Sequence, residues 1–441
     1  MSTAKWGKQQ PRVLLSVLLT FILILMSACG SSNGDNGSNG NNADGAEGAA
    51  GKVTLTFWNG FTGPDGELLK TIVNDYNKAN ADKVEIKMDV MPWDQLNQKL
   101  PPAIATDTAP GLVAIIGGSA TPFIRNDTFQ DLSGFFEATG ASKDDFKNGA
   151  LELGVKEDKP YLLPMQMNGL YLFWNKTLFK NAGLDPEKAP ATLEELTAYA
   201  EKLTDPAKNQ YGFGVPVAGA APYYASFIIG NGGNVVDLDT KKSVFDSPEN
   251  TATFGWLQDL VVNKKVSPKG AAGADLEKMM MSGQLGMYIN GPWMASGLKT
   301  GSVDFGVALP PKGSAAQFTE LGGIGFAVPS GASDAEKQAA YDFINYWNSP
   351  EIVKKWSLAN GFPPYIKSVV EDPEVQKDPL ISAMANMGDA AKPFLPGLTT
   401  ADRINNEVIF TAIEAVQNGQ DVSEVLKQAS GDIDELLMSE K

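Results

Sequence analysis

The apolar residues of the chain follow two alternating periods from Lys52 onward. Residues 53–57 read Val-Thr-Leu-Thr-Phe, and this period of two is typical of a half-buried strand. Apolar residues then recur at helical spacing over residues 69–76, and the alternation returns over residues 84–90. Residues 112–116 form a short unbroken apolar run, which is typical of a strand buried on both faces. The pattern predicts a β-α-β unit and a fold of the α/β class.

Helix starts and helical stripes continue this organisation towards the end of the chain. Thr192, Ser247 and Ser349 are residue types that cap helices, and each precedes a helical pattern. Apolar residues lie on one helical face over residues 339–347 and again over residues 408–416. We therefore expect strands and helices to alternate throughout the folded part, without an internal repeat.

The first 29 residues have the pattern of a bacterial export signal. Lys5, Lys8 and Arg12 give a positively charged start, and residues 13–26 are almost entirely apolar. This stretch is shorter than the about 20 apolar residues that cross a bilayer. It ends in Met-Ser-Ala-Cys, which resembles the bacterial lipobox, so we expect cleavage before Cys29 and lipid attachment to it. An ordinary cleavage site and a plain anchor helix are the alternatives.

A low-complexity segment separates the signal from the folded part. Residues 30–51 consist only of Gly, Asn, Ser, Ala, Asp and Glu, so they have nothing apolar to bury. As a random coil this segment would span about 25 Å. We interpret residues 29–51 as a tether that lets an anchored domain tumble above the outer face of the cell membrane.

Composition narrows the choice of partners. The formal charge is −16, and it becomes −19 once the three basic residues of the signal are removed, so nucleic acid and anionic lipid surfaces are not expected to bind. Cys29 is the only cysteine, which leaves the folded part without a disulfide. With 43% hydrophobic residues, a chain of this length can bury a core of about two domains.

The absence of histidine removes several kinds of chemistry. Ser-His-Asp and Cys-His catalysis are excluded, as is every metal site built on imidazole. We expect no metal, no cofactor and no catalytic residue. A carboxylate pair of the glycosidase type remains open as an alternative, because such enzymes need only two acids.

Aromatic residues occur at strand ends and in turns, outside the apolar stripes. They are Trp58, Trp93, Tyr223, Tyr224 and Trp293, and several of them follow proline or glycine. Aromatic rings stack on the C–H faces of sugars, while sugar hydroxyls bond to polar groups. These residues are therefore candidates for a sugar site, with core filling as the alternative for each.

Polar residues near these aromatics supply the second element of such a site. The candidates are Asp94, Gln98, Ser119, Asn168 and Arg403. Their amides, hydroxyls and charges can bond to sugar hydroxyls. A surface position beside a helix start is the alternative for Arg403.

Five segments resemble the extracellular solute-binding proteins of carbohydrate importers, the family that includes maltose-binding protein. The segment Ile-Asn-Gly-Pro-Trp-Met at residues 289–294 is similar to that family, as is the signature-like segment at residues 169–183. The other similar segments lie at residues 305–311, 322–329 and 418–426. The resemblance covers essentially all of residues 52–441.

The resemblance implies a two-lobed, periplasmic-binding-protein-like fold of type II. One lobe would comprise residues 52–166 and 317–363, and the other residues 167–316 and 364–441. A hinge would join the lobes, and the ligand would lie in the cleft between them. Ligand binding would close the cleft.

The resemblance also implies site residues. Trp293, in the matching Asn-Gly-Pro-Trp, is the expected stacking residue, and Phe61 and Thr62 match the first ligand loop. Asn168 falls where maltose-binding protein has an acid that contacts the ligand. Weaker similarity places Ser119 and Tyr223 in the site, and Gly322 opens one of the similar segments.

The function that the resemblance implies is sugar delivery. A monomeric, lipid-anchored receptor would bind a sugar or oligosaccharide and deliver it to ABC permease subunits in the membrane, with an ATPase on the cytoplasmic side. A secreted carbohydrate-active enzyme is one alternative. A binding protein for a glycerol phosphodiester or a peptide is another, because Arg403 could meet an anion.

Overall fold

The computed structural model describes residues 52–147, 149–385 and 390–440. The expected export signal, Cys29 and the tether lie outside these residues.

Short strands and longer helices alternate along the described chain. The strands, in chain order, are β1 Val53–Asn59, β2 Val84–Val90, β3 Leu112–Ile116, β4 Val155–Lys156, β5 Lys159–Pro160, β6 Leu163–Gly169, β7 Tyr171–Asn175, β8 Tyr211–Phe213, β9 Val236–Asp237, β10 Lys242–Ser243, β11 Leu285–Asn290, β12 Phe305–Ala308, β13 Thr319–Ala327 and β14 Ala391–Lys392.

The helices are distributed over the whole described chain. They are α1 Pro64–Ala79, α2 Trp93–Ala105, α3 Gly117–Arg125, α4 Phe135–Thr139, α5 Lys176–Asn181, α6 Leu193–Leu203, α7 Ala225–Gly230, α8 Pro248–Gln258, α9 Gly273–Met281, α10 Trp293–Thr300, α11 Asp334–Trp347, α12 Pro350–Asn360, α13 Lys367–Val370, α14 Pro373–Lys377, α15 Pro379–Ala385, α16 Ala401–Arg403, α17 Phe410–Gln417 and α18 Val422–Met438. Wider π-helical turns at Asp259–Asn263 and Ile404–Ile409 extend α8 and precede α17.

A six-stranded sheet organises the first lobe. Its order is β14-β13-β3-β1-β2, and β6 also pairs with β13. β1 runs parallel to β2 and β3, whereas β13 runs antiparallel to β3 and β6. Leu55 and Phe57 of β1 are completely buried, against α1 and α11, because the alternation of the strand turns both towards the same core. The predicted β-α-β unit and α/β class are confirmed.

A four-stranded sheet of order β12-β7-β11-β8 organises the second lobe. Its core contains Tyr171, Phe173 and Leu172 of β7, together with apolar residues of α6, α8, α17 and α18. β7 pairs antiparallel with both β11 and β12. The signature-like segment identified in the sequence therefore forms one of the two interior strands of this sheet and the helix α5 that follows it.

The predicted helix starts at Thr192, Ser247 and Ser349 are confirmed, because each residue is the N-cap of its helix. The Thr192 hydroxyl accepts a hydrogen bond from the backbone N–H of Glu195 at 3.3 Å, and the Glu195 carboxylate accepts one from the N–H of Ala191 at 2.8 Å. These bonds satisfy backbone donors that the helix cannot pair internally.

The chain passes between the two sheets more than once. β6 belongs to the first sheet and β7, which follows directly, to the second; β12 belongs to the second sheet and β13 to the first. Tyr365 and Ile366 still pack with Phe146 and Leu321 of the first lobe. The lobe boundaries that the resemblance implies stay a prediction. We propose that the chain makes its final passage from the first lobe to the second lobe after residue 363.

Candidate functional site

A cavity of about 1120 Å³ lies between the two lobes. β6, β13 and the loop before α1 line one wall, and the N-terminal half of α10 together with the segment before and into α16 lines the other. Cavities that hold small molecules commonly have volumes of about 300–1,000 Å³. The space is therefore large enough for a ligand of more than one small ring.

The floor of the cavity is the antiparallel pair β6–β13. In this register, Asn168 lies opposite Gly322 and Gln166 opposite Ile324. The Gln166 side chain donates to Asn168 Oδ1 at 3.1 Å and accepts from Trp356 Nε1 at 3.0 Å. This chain of bonds fixes the orientation of the Asn168 amide. Within the described residues, no hydrogen bond uses the Asn168 amide nitrogen, which leaves it available as a donor.

Glu320 projects over the same floor. It lies two residues before Gly322, and the alternation of β13 places both on one face. A Cβ atom at Gly322 would lie 3.1 Å from Glu320 Oε1, so the missing side chain makes room for the carboxylate. Desolvation, with a smaller contribution from the negative charge of Asp402, raises the pKa of Glu320 to about 7.

Asp402 and Asp65 add two more acids to the cavity wall. Desolvation raises the pKa of both carboxyls. Among the described residues, no lysine or arginine lies within 4 Å of Glu320, Asp402 or Asp65 in an ion pair. An acid without a cation accepts hydrogen bonds readily, so these carboxylates can receive the hydroxyl donors of a ligand.

Two of the cationic side chains in the cavity wall form ion pairs with acids outside the cavity lining. Arg125 pairs with Glu440, and Lys156 pairs with Asp127 at 2.5 Å. Lys241 also lines the cavity, at an exposed position. The cavity therefore presents more available negative charge than positive charge.

Trp93 forms part of the first-lobe wall because Gly60 lets its ring approach the backbone. A Cβ atom at Gly60 would lie only 2.0 Å from Trp93 Cδ2. Phe61 packs edge-on against Trp93, with ring centroids 5.3 Å apart, and edge-on against Trp356 at 5.5 Å. This packing fixes the ring of Trp93 at the cavity.

Trp293 stands on the second-lobe wall at the first residue of α10. Its ring lies over Gly291, where a Cβ atom would lie 2.0 Å from Cζ3. The side chain remains 42% exposed, unlike the large aromatic residues of the two cores. An exposed ring held against the backbone at a cavity is suited to stacking on a flat apolar surface.

Six residues from the sequence predictions line the cavity. They are Phe61, Thr62, Trp93, Asn168, Trp293 and Gly322. The structure thus brings residues from both lobes together, although they are up to 261 positions apart in the sequence. That each of them contacts a ligand stays a prediction.

Four other predicted residues lie on the first lobe but outside the cavity lining. Trp58 donates from Nε1 to Asp89 at 3.1 Å, and Lys99 lies over its ring at 5.1 Å. Asp94 and Gln98 are exposed on α2. Ser119 accepts a 3.5 Å hydrogen bond from Asn97. None of the four is part of the cavity lining.

Tyr223 and Tyr224 differ from the expectation for ligand-contacting residues. Each side chain is only 1% exposed, within the core of the second lobe. The Tyr223 hydroxyl donates to the carbonyl of Gly214 at 2.8 Å, and that of Tyr224 donates to the carbonyl of Pro216. Core filling explains both rings, because their polar ends are already bonded to backbone.

Arg403 also differs from the expectation. It lies at the end of α16, outside the cavity lining, and donates from Nε and Nη2 to the Glu407 carboxylate at 2.9 and 2.8 Å. This bidentate pair, one helical turn apart, occupies the guanidinium. Arg403 is therefore not placed to meet an anion in the cavity.

Glu320, Gln166 and Asp402 are among the cavity residues that the sequence reasoning missed, as are Asp65, Arg125, Lys156 and Lys241. Glu320 and Gln166 lie two positions before Gly322 and Asn168, so the period of two could have placed each on the cavity face of its strand. Asp402 is adjacent to Arg403, and no local signal separates the two.

Metal and membrane-spanning features can be assessed for the described part of the chain. Over these residues, no group of three or more Cys, Asp or Glu side chains is arranged to hold a metal ion. Likewise, none of the helices described between residues 52 and 440 combines the length and the apolar character needed to cross a bilayer.

Comparison with known proteins gives a family match over most of the chain. Residues 71–383 match the family model for the bacterial extracellular solute-binding protein. A maltotriose-binding protein from Pyrococcus abyssi is 28% identical over 229 residues, which are 50% of this chain and 47% of that protein. The chain thus spans about half the length of that relative.

A second relative is named for a different ligand. An sn-glycerol-3-phosphate-binding periplasmic protein from Agrobacterium fabrum is 23% identical over 341 residues, covering 72% of this chain and 75% of that protein. Sequence similarity at this level therefore includes binding proteins for a neutral oligosaccharide and for an anion.

A solved structure confirms the fold. The cyclic alpha-maltosyl-1,6-maltose binding protein from Arthrobacter globiformis superposes with a TM-score of 0.76 and 25% identity. The match covers 88% of this chain and 99% of that protein. The two-lobed fold predicted from the resemblance is confirmed by this similarity.

Proposed function

This chain belongs to the bacterial extracellular solute-binding proteins, and we propose that its ligand is a neutral sugar or oligosaccharide, which it delivers to the permease of an ABC importer. The observation that carries this proposal is Trp293. Its ring is exposed at the cavity and is held there by its contact with Gly291. Such a ring offers a stacking surface for the C–H face of a sugar.

The polar groups of the cavity complement this ring. Asn168 offers a free amide donor, while Glu320 and Asp402 offer unpaired acceptors. Sugar hydroxyls both donate and accept hydrogen bonds, so a polyhydroxylated ligand can use all three groups. The cavity volume favours an oligosaccharide over a single small ring.

The charges argue against an anionic ligand, although one relative binds sn-glycerol-3-phosphate. Asp65, Asp402 and the ionised form of Glu320 repel a phosphate or a carboxylate, and Arg125 and Lys156 are already paired. Arg403, which suggested the anionic alternative, bonds to Glu407 instead. We therefore favour neutral ligands.

Delivery would depend on closure of the lobes. A ligand that contacts Asn168 on one lobe and Trp293 on the other binds the closed state more tightly than the open state, and this difference in affinity drives closure. The closed form would be recognised by the permease subunits. We propose that the receptor acts as a monomer and that no divalent cation takes part.

We further propose that the protein releases its ligand unchanged. The alternative, a carbohydrate-active enzyme, would need a pair of carboxyls such as Glu320 and Asp402. Incubation with labelled oligosaccharides, followed by chromatography, separates the two functions. The proposal predicts recovery of the intact oligosaccharide after many binding equivalents, whereas shorter labelled products that disappear in Glu320→Gln would establish hydrolysis.

Localisation completes the proposal. The lipobox-like site at Cys29 and the polar segment that follows would hold the receptor on the outer face of the membrane. A tethered receptor stays close to its permease, which raises its effective concentration there.

A further inference from the structure

Glu440 is a buried acid whose bonding partners come from two different parts of the fold. Its side chain has no exposed surface. Oε1 accepts from the Thr399 hydroxyl at 2.7 Å and from the backbone N–H of Thr400 at 2.6 Å. Oε2 accepts from Arg125 Nη1, and the Glu440 carbonyl accepts from Arg125 Nη2 at 2.9 Å.

Arg125 belongs to the first lobe. It is the last residue of α3, whose Ala120 and Ile124 pack in a core with Val113 and Ile115 of β3. Arg125 also lines the cavity. Its guanidinium therefore reaches from the first lobe to Glu440.

Glu440 belongs to the second lobe. It follows α18, whose Leu426, Ile433 and Leu437 pack in the core built on β7 and β11. The segment that Glu440 holds through Thr399 and Thr400 adjoins Leu398 and Ala401, which line the opposite cavity wall. One carboxylate thus bonds to both walls of the cavity.

We propose that Arg125 and Glu440 form a latch that holds the two lobes closed and fixes the second-lobe wall of the cavity. A buried carboxylate is stable only while it is paired and hydrogen-bonded, so separation of the lobes must expose Glu440 to water or leave it without Arg125. The latch therefore biases the ligand-free protein towards closure. Both residues act as positioning residues, and the inference does not depend on which ligand is bound.

Spin-label distances between the lobes test this inference without any ligand. The full chain would carry Cys29→Ser, which removes the native cysteine. Lys70→Cys on α1 and Lys202→Cys on α6, both at exposed positions, would carry the labels, one on each lobe. Arg125→Ala and Glu440→Gln should each shift the distance distribution of the ligand-free protein towards the open arrangement. Loss of charge-assisted bonds should raise the open-to-closed ratio about tenfold or more.

Two further variants keep the test decisive. Arg403→Ala removes a guanidinium whose partner, Glu407, lies on the same lobe, so it should leave the distances unchanged. Arg125→Lys keeps the charge but loses one bond, and it should give an intermediate distribution. If Arg125→Ala does not fold, Glu440→Gln alone can test the latch. Its amide oxygen can still accept hydrogen bonds from Thr399 and Thr400, so the second-lobe contacts remain. Distances identical to the parent in folded Glu440→Gln would overturn the latch.

Discussion

The carboxylate of Glu320 lies against Gly322, so close that a Cβ atom at position 322 would approach Oε1 to 3.1 Å. Gly322 in turn lies opposite Asn168 in the strand pair at the cavity floor. The absent side chain thus lets an acceptor and a donor occupy the same part of the floor. An acid in this position has a raised pKa, which gives the site a measurable dependence on pH.

Glu320→Gln should change how the stability of the ligand-free protein depends on pH. The folded-state pKa of about 7 exceeds the ordinary value of 4.5. The protonated carboxyl therefore contributes stability that is complete below about pH 4.5 and is lost as the pH rises through 7. Glutamine mimics the protonated form, so the melting temperature of the variant minus that of wild type should grow from pH 4.5 to 7.5. The shift in pKa limits this pH-dependent contribution to about 3 kcal/mol of unfolding free energy.

Glu407→Gln is the matched control for this measurement. The hydrogen bond and charge of Arg403 lower the pKa of Glu407, so its carboxyl is ionised in both states above pH 5. The melting temperature of Glu407→Gln minus that of wild type should therefore stay constant over the upper part of the same pH range. A constant difference for Glu320→Gln as well would contradict the desolvated position of Glu320.

Asn168→Ala and Arg403→Ala should have opposite outcomes for sugar affinity. The first removes a donor at the cavity floor and should weaken binding by about 0.5–1.5 kcal/mol. The second breaks an exposed pair outside the cavity and should leave affinity within about twofold, since such pairs contribute little. Calorimetry with a sugar bound by wild type measures both. Strong weakening by Arg403→Ala alone would contradict the position of Arg403 outside the ligand site.

Much of the fold could be predicted because its signals are local. The alternation at residues 53–57 and the caps at Thr192 and Ser247 depend on near neighbours, and the structure confirms them. The cavity depends on pairs that are distant in sequence. The register of Asn168 against Gly322 joins two strands more than 150 residues apart, and neither strand reveals its partner on its own.

The aromatic residues illustrate the limit of the same reasoning. Trp293 and Tyr223 both follow proline or glycine in turn-like segments, yet one ring is exposed at the cavity and the other is buried. The difference arises from what packs around each ring. Tyr223 meets Phe213, Phe227 and Tyr288 in the second-lobe core, and this packing cannot be inferred from local spacing.

Lipid attachment at Cys29 can be tested in cells. The lipobox-like site predicts that wild type labels with a palmitate analogue and fractionates with membranes. Cys29→Ala should lose both properties, because no other cysteine is present to replace it. An unlabelled wild type, with Cys29→Ala still bound to cells, would instead indicate a plain anchor helix.

Chelation should not affect ligand binding. The chain has no histidine, and the described residues hold no cluster of three or more acids arranged for a cation. We expect the same sugar affinity before and after dialysis against EDTA. A loss of affinity that calcium restores would reveal an all-oxygen site and refute this prediction.

Trp293→Ala should fold with nearly unchanged stability, because the ring is already exposed. Trp347→Ala provides the contrast: that side chain is completely buried in the first-lobe core, and its loss should cost about 3–5 kcal/mol of unfolding free energy. Denaturant titration of the two variants measures the difference. A similar cost for both would make Trp293 a core residue.

The central claim, that a neutral sugar binds in the cavity against Trp293, is tested most directly by a melting-shift screen of wild type and Trp293→Ala in parallel. The panel should contain neutral monosaccharides, neutral oligosaccharides, sugar acids and sn-glycerol-3-phosphate. A ligand that binds only the native state raises its melting temperature by mass action. We predict that at least one neutral sugar raises the melting temperature of wild type and that this shift is lost or much smaller in the folded Trp293→Ala variant. A shift with the anions alone, or an equal sugar shift in both proteins, would contradict the claim.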